Sequence, residues 1–308
     1  SSDLFLKALS LNIGQIELGQ DFLESNGTAL CAGNSYTLQS GLDPNNYLFT
    51  WALNGVPIAG QTGANLVVTT SGTYTLSASY ITGTCTTSDS VTIEFYAPVA
   101  GGTPNTLTAC NSLGYAQFDL STNNASALGS LSPTANTVTY YATLADAQTE
   151  VSPLPTLYTN TTQYTQTIYV RVENNTNGCY TTSQFNLNVQ VPPQFTVTPD
   201  FTICAGTSGT ISVTPTNFAL ANATYTWTLN GVALTDTTST ITVTQAGIYE
   251  VTVNNSGCTA TATTTVTVTA LPLVDAPAPV TQCTAYTLPA LTNGNYYTGT
   301  GGTGTMLT

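Results

Sequence analysis

Seven cysteines, at positions 31, 85, 110, 179, 204, 258 and 283, carry the most legible chemistry in this chain. Cys31 and Cys85 are 54 residues apart (85 − 31), and Cys204 and Cys258 repeat that interval (258 − 204). Each pair brackets the same run of landmarks. Cys31-Ala32-Gly33 leads to Trp51-Ala52-Leu53-Asn54-Gly55-Val56, then Gly72-Thr73-Tyr74, then Cys85. Cys204-Ala205-Gly206 leads likewise to Trp227-Thr228-Leu229-Asn230-Gly231-Val232, Gly247-Ile248-Tyr249 and Cys258. A closed length held constant predicts disulfides Cys31–Cys85 and Cys204–Cys258, with Cys110–Cys179 as the third neighbouring pair and Cys283 bonded to a partner beyond residue 308. No Cys-x-x-Cys occurs, so zinc is not indicated. Disulfides imply an oxidising, extracytoplasmic compartment.

Other chemistry is sparsely equipped. There is no histidine, and Lys7 and Arg171 are the sole cations, which removes Ser-His-Asp, Cys-His and most lysine-based catalysis. Asp146 and Glu150, four apart on an expected helix, are the nearest approach to a carboxylate pair and read as solvated helix charges. The chain is read as non-enzymatic and without cofactors, calcium being possible at Asp43, Asp200, Asp236 or Asp275, none of which has the spacing of a calcium loop. Crosslinking through Lys7 is excluded in the later modules, which contain no lysine. Trp51, Trp227, Tyr74 and Tyr249 could stack on sugars, but their matched positions in two copies favour a core role. Tyr158, Tyr164, Tyr296 and Tyr297 are the better candidates for exposed ligand contact.

The elements that position these residues read as strands. Fifteen acidic against two basic residues give a net charge of −13, which argues against nucleic acid and anionic membranes as partners. Only 6% of residues are charged and 41% are hydrophobic, a composition for strands rather than disorder. Short period-two runs separated by Gly, Asn and Pro predict an all-β chain of tandem immunoglobulin-like (Ig-like) sandwich modules, arranged as an elongated rod. Asn54-Gly55 is a two-residue hairpin signal. Residues 1–24 read as a linker or the end of a preceding module. Residues 25–96 form an Ig-like module, 97–190 a divergent β-sandwich, 191–270 a repeat of the first, and 271–308 a proline-stiffened linker with an incomplete fourth β-module. A short helix capped by Thr143 is expected in the second module, with another turn near 123–128.

The Cys-Ala-Gly to Trp-x-Leu-Asn-Gly-Val cassettes carry a family resemblance. So do Phe118-Asp119-Leu120-Ser121, Tyr140-Tyr141-Ala142-Thr143-Leu144-Ala145-Asp146-Ala147 and Gln166-Thr167-Ile168-Tyr169-Val170-Arg171-Val172, and the Tyr286–Tyr297 stretch. Together they resemble the repeats of large Bacteroidota surface proteins exported by type IX secretion, among them gliding-motility adhesins. The resemblance implies a secreted, non-catalytic stalk or adhesive segment of a bacterial cell-surface protein, bound to further repeats and to an extracellular surface, glycan or protein. Separately, Asp89-Ser90-Val91 and Asp236-Thr237-Thr238 resemble the Bacteroidota O-glycosylation acceptor, with Ser90 and Thr237 as the residues it would modify. A spacer of a secreted polysaccharide-degrading enzyme, or a filament subunit completed by a neighbour's strand, are the alternative readings.

Overall fold

A computed structural model describes residues 16–307. The alternating residues 9–13 and Lys7 lie outside the described residues. The described chain is dominated by strands, as the composition predicts, and divides into two compact units, one ending at Val189 and one beginning at Gln190. The fold is a tandem series of Ig-like β modules, each with its own core.

The first unit opens with strands β1 (Leu30–Cys31), β2 (Tyr36–Gln39), β3 (Tyr47–Leu53), β4 (Val56–Pro57), β5 (Asn65–Val68), β6 (Gly72–Tyr80), β7 (Thr86–Ile93) and β8 (Phe95–Tyr96). The order β4-β3-β6-β7 makes one sheet, β2 and β5 pair opposite it, and β1 runs parallel to β8. Alternation decides the faces. Phe49 and Trp51 on β3 and Tyr74, Leu76 and Ala78 on β6 point inward, between polar residues that face water. Ile16, Leu18 and Phe22, upstream of the expected start at residue 25, also pack on this core.

The second half of this unit holds β9 (Leu107–Cys110), β10 (Gln117–Asp119), β11 (Asn136–Tyr141), β12 (Leu157–Thr159), β13 (Thr165–Asn174) and β14 (Tyr180–Gln190). Its sheet has the order β11-β13-β14-β9, with β10 and β12 paired separately. Two short helices, α1 (Asn124–Leu128) and α2 (Leu144–Thr149), lie between strands. Thr143 caps α2 as its sequence predicts: its Oγ1 accepts from the Asp146 amide at 3.1 Å and donates to the Asp146 carboxylate at 2.5 Å.

The second unit contains β15 (Phe195–Val197), β16 (Phe201–Cys204), β17 (Gly209–Pro215), β18 (Ala223–Leu229), β19 (Val232–Ala233), β20 (Thr240–Val243), β21 (Gly247–Asn255) and β22 (Cys258–Thr269). A five-stranded sheet, β16-β22-β21-β18-β19, faces the three strands β15-β17-β20 across the third core. Residues 271–307 add a small hairpin, β23 (Tyr296–Tyr297) with β24 (Met306–Leu307).

The repeated landmarks now have physical reasons. Asn54-Gly55 and Asn230-Gly231 all have positive φ, the requirement of a type I′ hairpin turn. The Asn54 side chain accepts from the Thr73 amide at 2.9 Å, so this turn lies against Gly72, where an added Cβ would collide with Leu53 and Asn54. The Asn230 side chain accepts from the Ile248 amide in the same way beside Gly247. That close approach accounts for Gly-x-Tyr. Trp51 and Trp227 are fully buried, and each indole donates at 2.9 Å to a loop carbonyl, of Gly63 and Thr238 respectively. The Tyr74 and Tyr249 hydroxyls donate to the carbonyls four residues upstream, Thr70 and Gln245. All four aromatics belong to the cores, which rules them out as sugar platforms.

Candidate functional site: the disulfide clasp between modules

The parallel pairing of first and last strands sets where Cys31 and Cys204 can reach. In the first module, Cys31 at the end of β1 lies beside Tyr96, at the far end of the last strands. Cys85 lies before β7 begins, opposite Tyr80. Eleven residues of extended chain separate Cys85 from Tyr96 (96 − 85), about 35 Å at roughly 3.3 Å per residue. A disulfide requires Cα atoms within about 7 Å. The expected Cys31–Cys85 bond is therefore impossible in this fold, and the same geometry excludes Cys204–Cys258: Cys204 pairs with Thr269, eleven residues (269 − 258) along β22 from Cys258.

Cys31 is instead bonded to Cys179 of the second module, with Cα atoms 5.4 Å apart and a sequence separation of 148. This also overturns the expected Cys110–Cys179 pair. Cys110 and Cys258 are disulfide-bonded as well. Cys85, Cys204 and Cys283 are free, exposed thiols.

The topology explains why a first-strand cysteine meets the next module's hairpin. Because the first strand runs parallel to the last, its final residue sits at the end where the chain leaves the module. The turn before the last strand sits at the opposite end, where the chain arrives. Across a junction, the first module's departing end and the second module's arriving end face one another, carrying Cys31 and Cys179.

Both cysteines are held by local structure. Asn34 closes a turn on the Cys31 carbonyl at 3.1 Å, with Gly33 at φ 87°. On the other side, Asn174-Asn175-Thr176-Asn177-Gly178 makes a tight turn between β13 and β14. The Asn174 side chain accepts from the Thr176 amide, the Asn177 side chain accepts from the Cys179 amide at 3.0 Å, and Gly178 takes φ 70°. Beside it stands Tyr180, whose ring lies 3.5 Å beneath the Arg171 guanidinium carbon. Arg171 is buried, pairs with Glu173 at 2.6 Å, and donates to the carbonyls of Ala147 and Gln148 at the end of α2. It thus ties α2, β13 and the cysteine-bearing turn together.

A matched pair of carboxylates was not foreseen from sequence. Asp21 accepts from the Thr92 amide and Asp200 from the Thr265 amide, each at 2.7 Å. Both sit one residue before a phenylalanine that pairs in parallel with the last strand, Phe22 with Ile93 and Phe201 with Val266. They pin the first strand in register at the start of its path to Cys31 or Cys204. The shared Asp-Phe was readable, but residues 23–29, with a 3-10 turn at Glu24–Asn26, separate it from Cys31 and hide the correspondence.

The remaining candidates are dispersed. Glu150 caps α2 in a left-handed conformation and shares no helical face with Asp146. Asp43 closes a local turn with Asn45, Asp275 holds the amides of Thr292 and Asn293, and Asp236 is exposed. The Asp275 carboxyl is lowered from its ordinary pKa by those two amides, Asn293 first. Among the described residues no cluster of three His, Cys, Asp or Glu could hold a metal ion. Tyr158 is buried, its hydroxyl accepting from Gln166, which corrects its expected exposure. Tyr164 and Tyr297 are exposed, while Tyr296 donates to the Pro289 carbonyl. Ser90 and Thr237 are both exposed. An open cleft of about 590 Å³ is lined by Tyr286, Leu288, Pro289, Tyr296 and Leu307. Among the described residues no helix is long and apolar enough to cross a membrane.

No curated protein matches the chain. Among solved structures, domains 3–5 of the extracellular region of Drosophila OTK are 11% identical, covering 83% of this chain and 96% of that one at a TM-score of 0.35. The I-band fragment I67–I69 of titin is 14% identical, covering 78% and 95% at a TM-score of 0.28. Residues 106–193 match the family model described as the Flavobacterium inter-domain disulphide bond domain.

Proposed function

We propose that this chain is a non-catalytic structural segment of a secreted bacterial cell-surface protein, a stalk or adhesive array whose successive Ig-like modules are clasped by disulfides. The observation that carries the reading is the bond between Cys31 and Cys179, which joins two modules with separate cores. A bond within a module stabilises a fold. A bond across a junction restrains how one module bends or twists against the next, and it carries load past the intervening chain. Those are the needs of an extended surface protein under shear, and the bond's chemistry suits an oxidising exterior.

The match of residues 106–193 to a Flavobacterium domain named for inter-domain disulfides supports a source in that group of bacteria. Export by type IX secretion, a part in gliding and modification of Ser90 and Thr237 belong to the same proposal. The test is localisation of the native protein with an antibody against this segment. Labelling of intact cells, and release of the epitope by protease applied outside them, is the expected result. Labelling only after permeabilisation refutes a surface role.

A further inference from the structure

The two free cysteines of the Trp-containing modules occupy positions whose counterparts elsewhere in this structure are bonded. Register makes the equivalence strict. Phe22 pairs with Ile93 and Cys31 with Tyr96; Phe201 pairs with Val266 and Cys204 with Thr269. Both intervals along the last strand are three residues, so Cys204 stands in the third module where Cys31 stands in the first. Each is followed by Ala-Gly with the glycine at positive φ, 87° and 83°. At the other end, Cys85 lies opposite Tyr80, Cys179 opposite Asn174 and Cys258 opposite Asn255, each facing the last residue of the strand before it. Of these three turn positions, Cys179 and Cys258 are disulfide-bonded and Cys85 is exposed.

We infer that Cys204 and Cys85 are the two open ends of a directional disulfide relay, Cys204 bonding forward to the turn cysteine of the next module and Cys85 backward to the first-strand cysteine of the module before. This rests on the inter-module clasp proposed above and extends it beyond residues 106–193. The direction follows from topology, because Cys204 sits where the chain leaves its module and Cys85 where the chain arrives. The partner class is a thiol in the turn before the last strand of an adjoining Ig-like module, roughly 148 residues after Cys204 if the spacing of the observed bond repeats. Closure needs a disulfide oxidant of the exterior compartment, a small or protein disulfide. The Cys204 thiolate attacks it and expels one thiol, and the partner thiolate then displaces the second, leaving one new S–S bond and one reduced oxidant.

The test is non-reducing peptide mapping of the native polypeptide, alkylated at the moment of cell lysis and digested with pepsin. The expected product joins the Cys204 peptide to a peptide from beyond Thr308 and the Cys85 peptide to one from before Ser1. Alkylated Cys204 or Cys85 in the native protein overturns the relay, as does either one joined to a small thiol or to another cysteine of residues 1–308. The Cys31–Cys179 product, read in the same digest, reports separately on the clasp itself. In a Cys204→Ser variant the forward partner becomes alkylatable while Cys31–Cys179 persists; a partner that stays protected contradicts the assignment.

Discussion

Pulling on the chain on either side of the clasp reads its covalent path directly. With handles placed at Asn26 and Gln194 in the intact chain, tension enters at residue 31 and crosses the sulfur bridge to residue 179. Everything between them is relieved of load, including Trp51, both helices and most of two cores. The hidden length is 148 residues, which at about 3.3–3.6 Å per residue is roughly 500 Å of extended chain. With the bond intact, only the flanking residues, on the order of 70 Å, can be drawn out. Optical tweezers with and without a phosphine reductant measure the difference. Reduction should add about 500 Å, released as the first two modules unfold. Bonds within modules would instead hide two separate stretches, of 54 (85 − 31) and 69 (179 − 110) residues, about 190 and 240 Å. Two increments of that size would refute the inter-module path.

Replacing Arg171 with Ala leaves Glu173 without its cation and frees α2 and Tyr180, costing roughly 2–3 kcal/mol, less than for a fully buried pair because the Glu173 side chain is 26% exposed. Chemical denaturation should show this loss confined to the second module, and a change under about 1 kcal/mol would contradict the clamp. Because Arg171 is buried, trypsin should leave the folded second module uncut and cleave there only after denaturation; cleavage at Arg171 in native buffer argues against its burial. Trp51→Phe empties part of the first core and removes the indole's bond to the Gly63 carbonyl, a cost of about 1–3 kcal/mol, mostly from the cavity, that should appear as protease sensitivity of residues 30–96 with the third core unaffected. Burial, and secondarily the Asp119 carboxylate, raise the Tyr140 hydroxyl well above the ordinary tyrosine range. Its folded pKa exceeds its unfolded one, so its contribution is fully present below about pH 10 and is lost as pH climbs beyond that value. Thermal melts should decline less steeply above pH 10 in Tyr140→Phe than in the unaltered chain, and equal slopes would remove Tyr140 as the cause.

The building block was legible in the sequence because its constraints are local. Asn-Gly needs two positive φ values, Gly-x-Tyr needs room for the turn, and alternation tells which of Phe49, Thr50 and Trp51 faces inward. The cap on α2 is equally local. The disulfides were misread for a physical reason. Two copies of one module have equal internal spacings whether or not their cysteines touch, so the repeated 54-residue interval reported repetition rather than contact. What decides contact is which end of the last strand each cysteine occupies. That follows from the parallel pairing of β1 with β8 and of β16 with β22, long-range pairings that no local pattern announces. Arg171 was visible as one of two cations, but its position beside the cysteine-bearing turn depends on three elements meeting.

Disulfide mapping of the unreduced protein reads the bond between the first two modules itself, using a protease other than trypsin because Lys7 and Arg171 offer trypsin so few sites. The expected result is one peptide pair joining Cys31 to Cys179. Recovery of Cys31 joined to Cys85, or of Cys179 joined to Cys110, would contradict it.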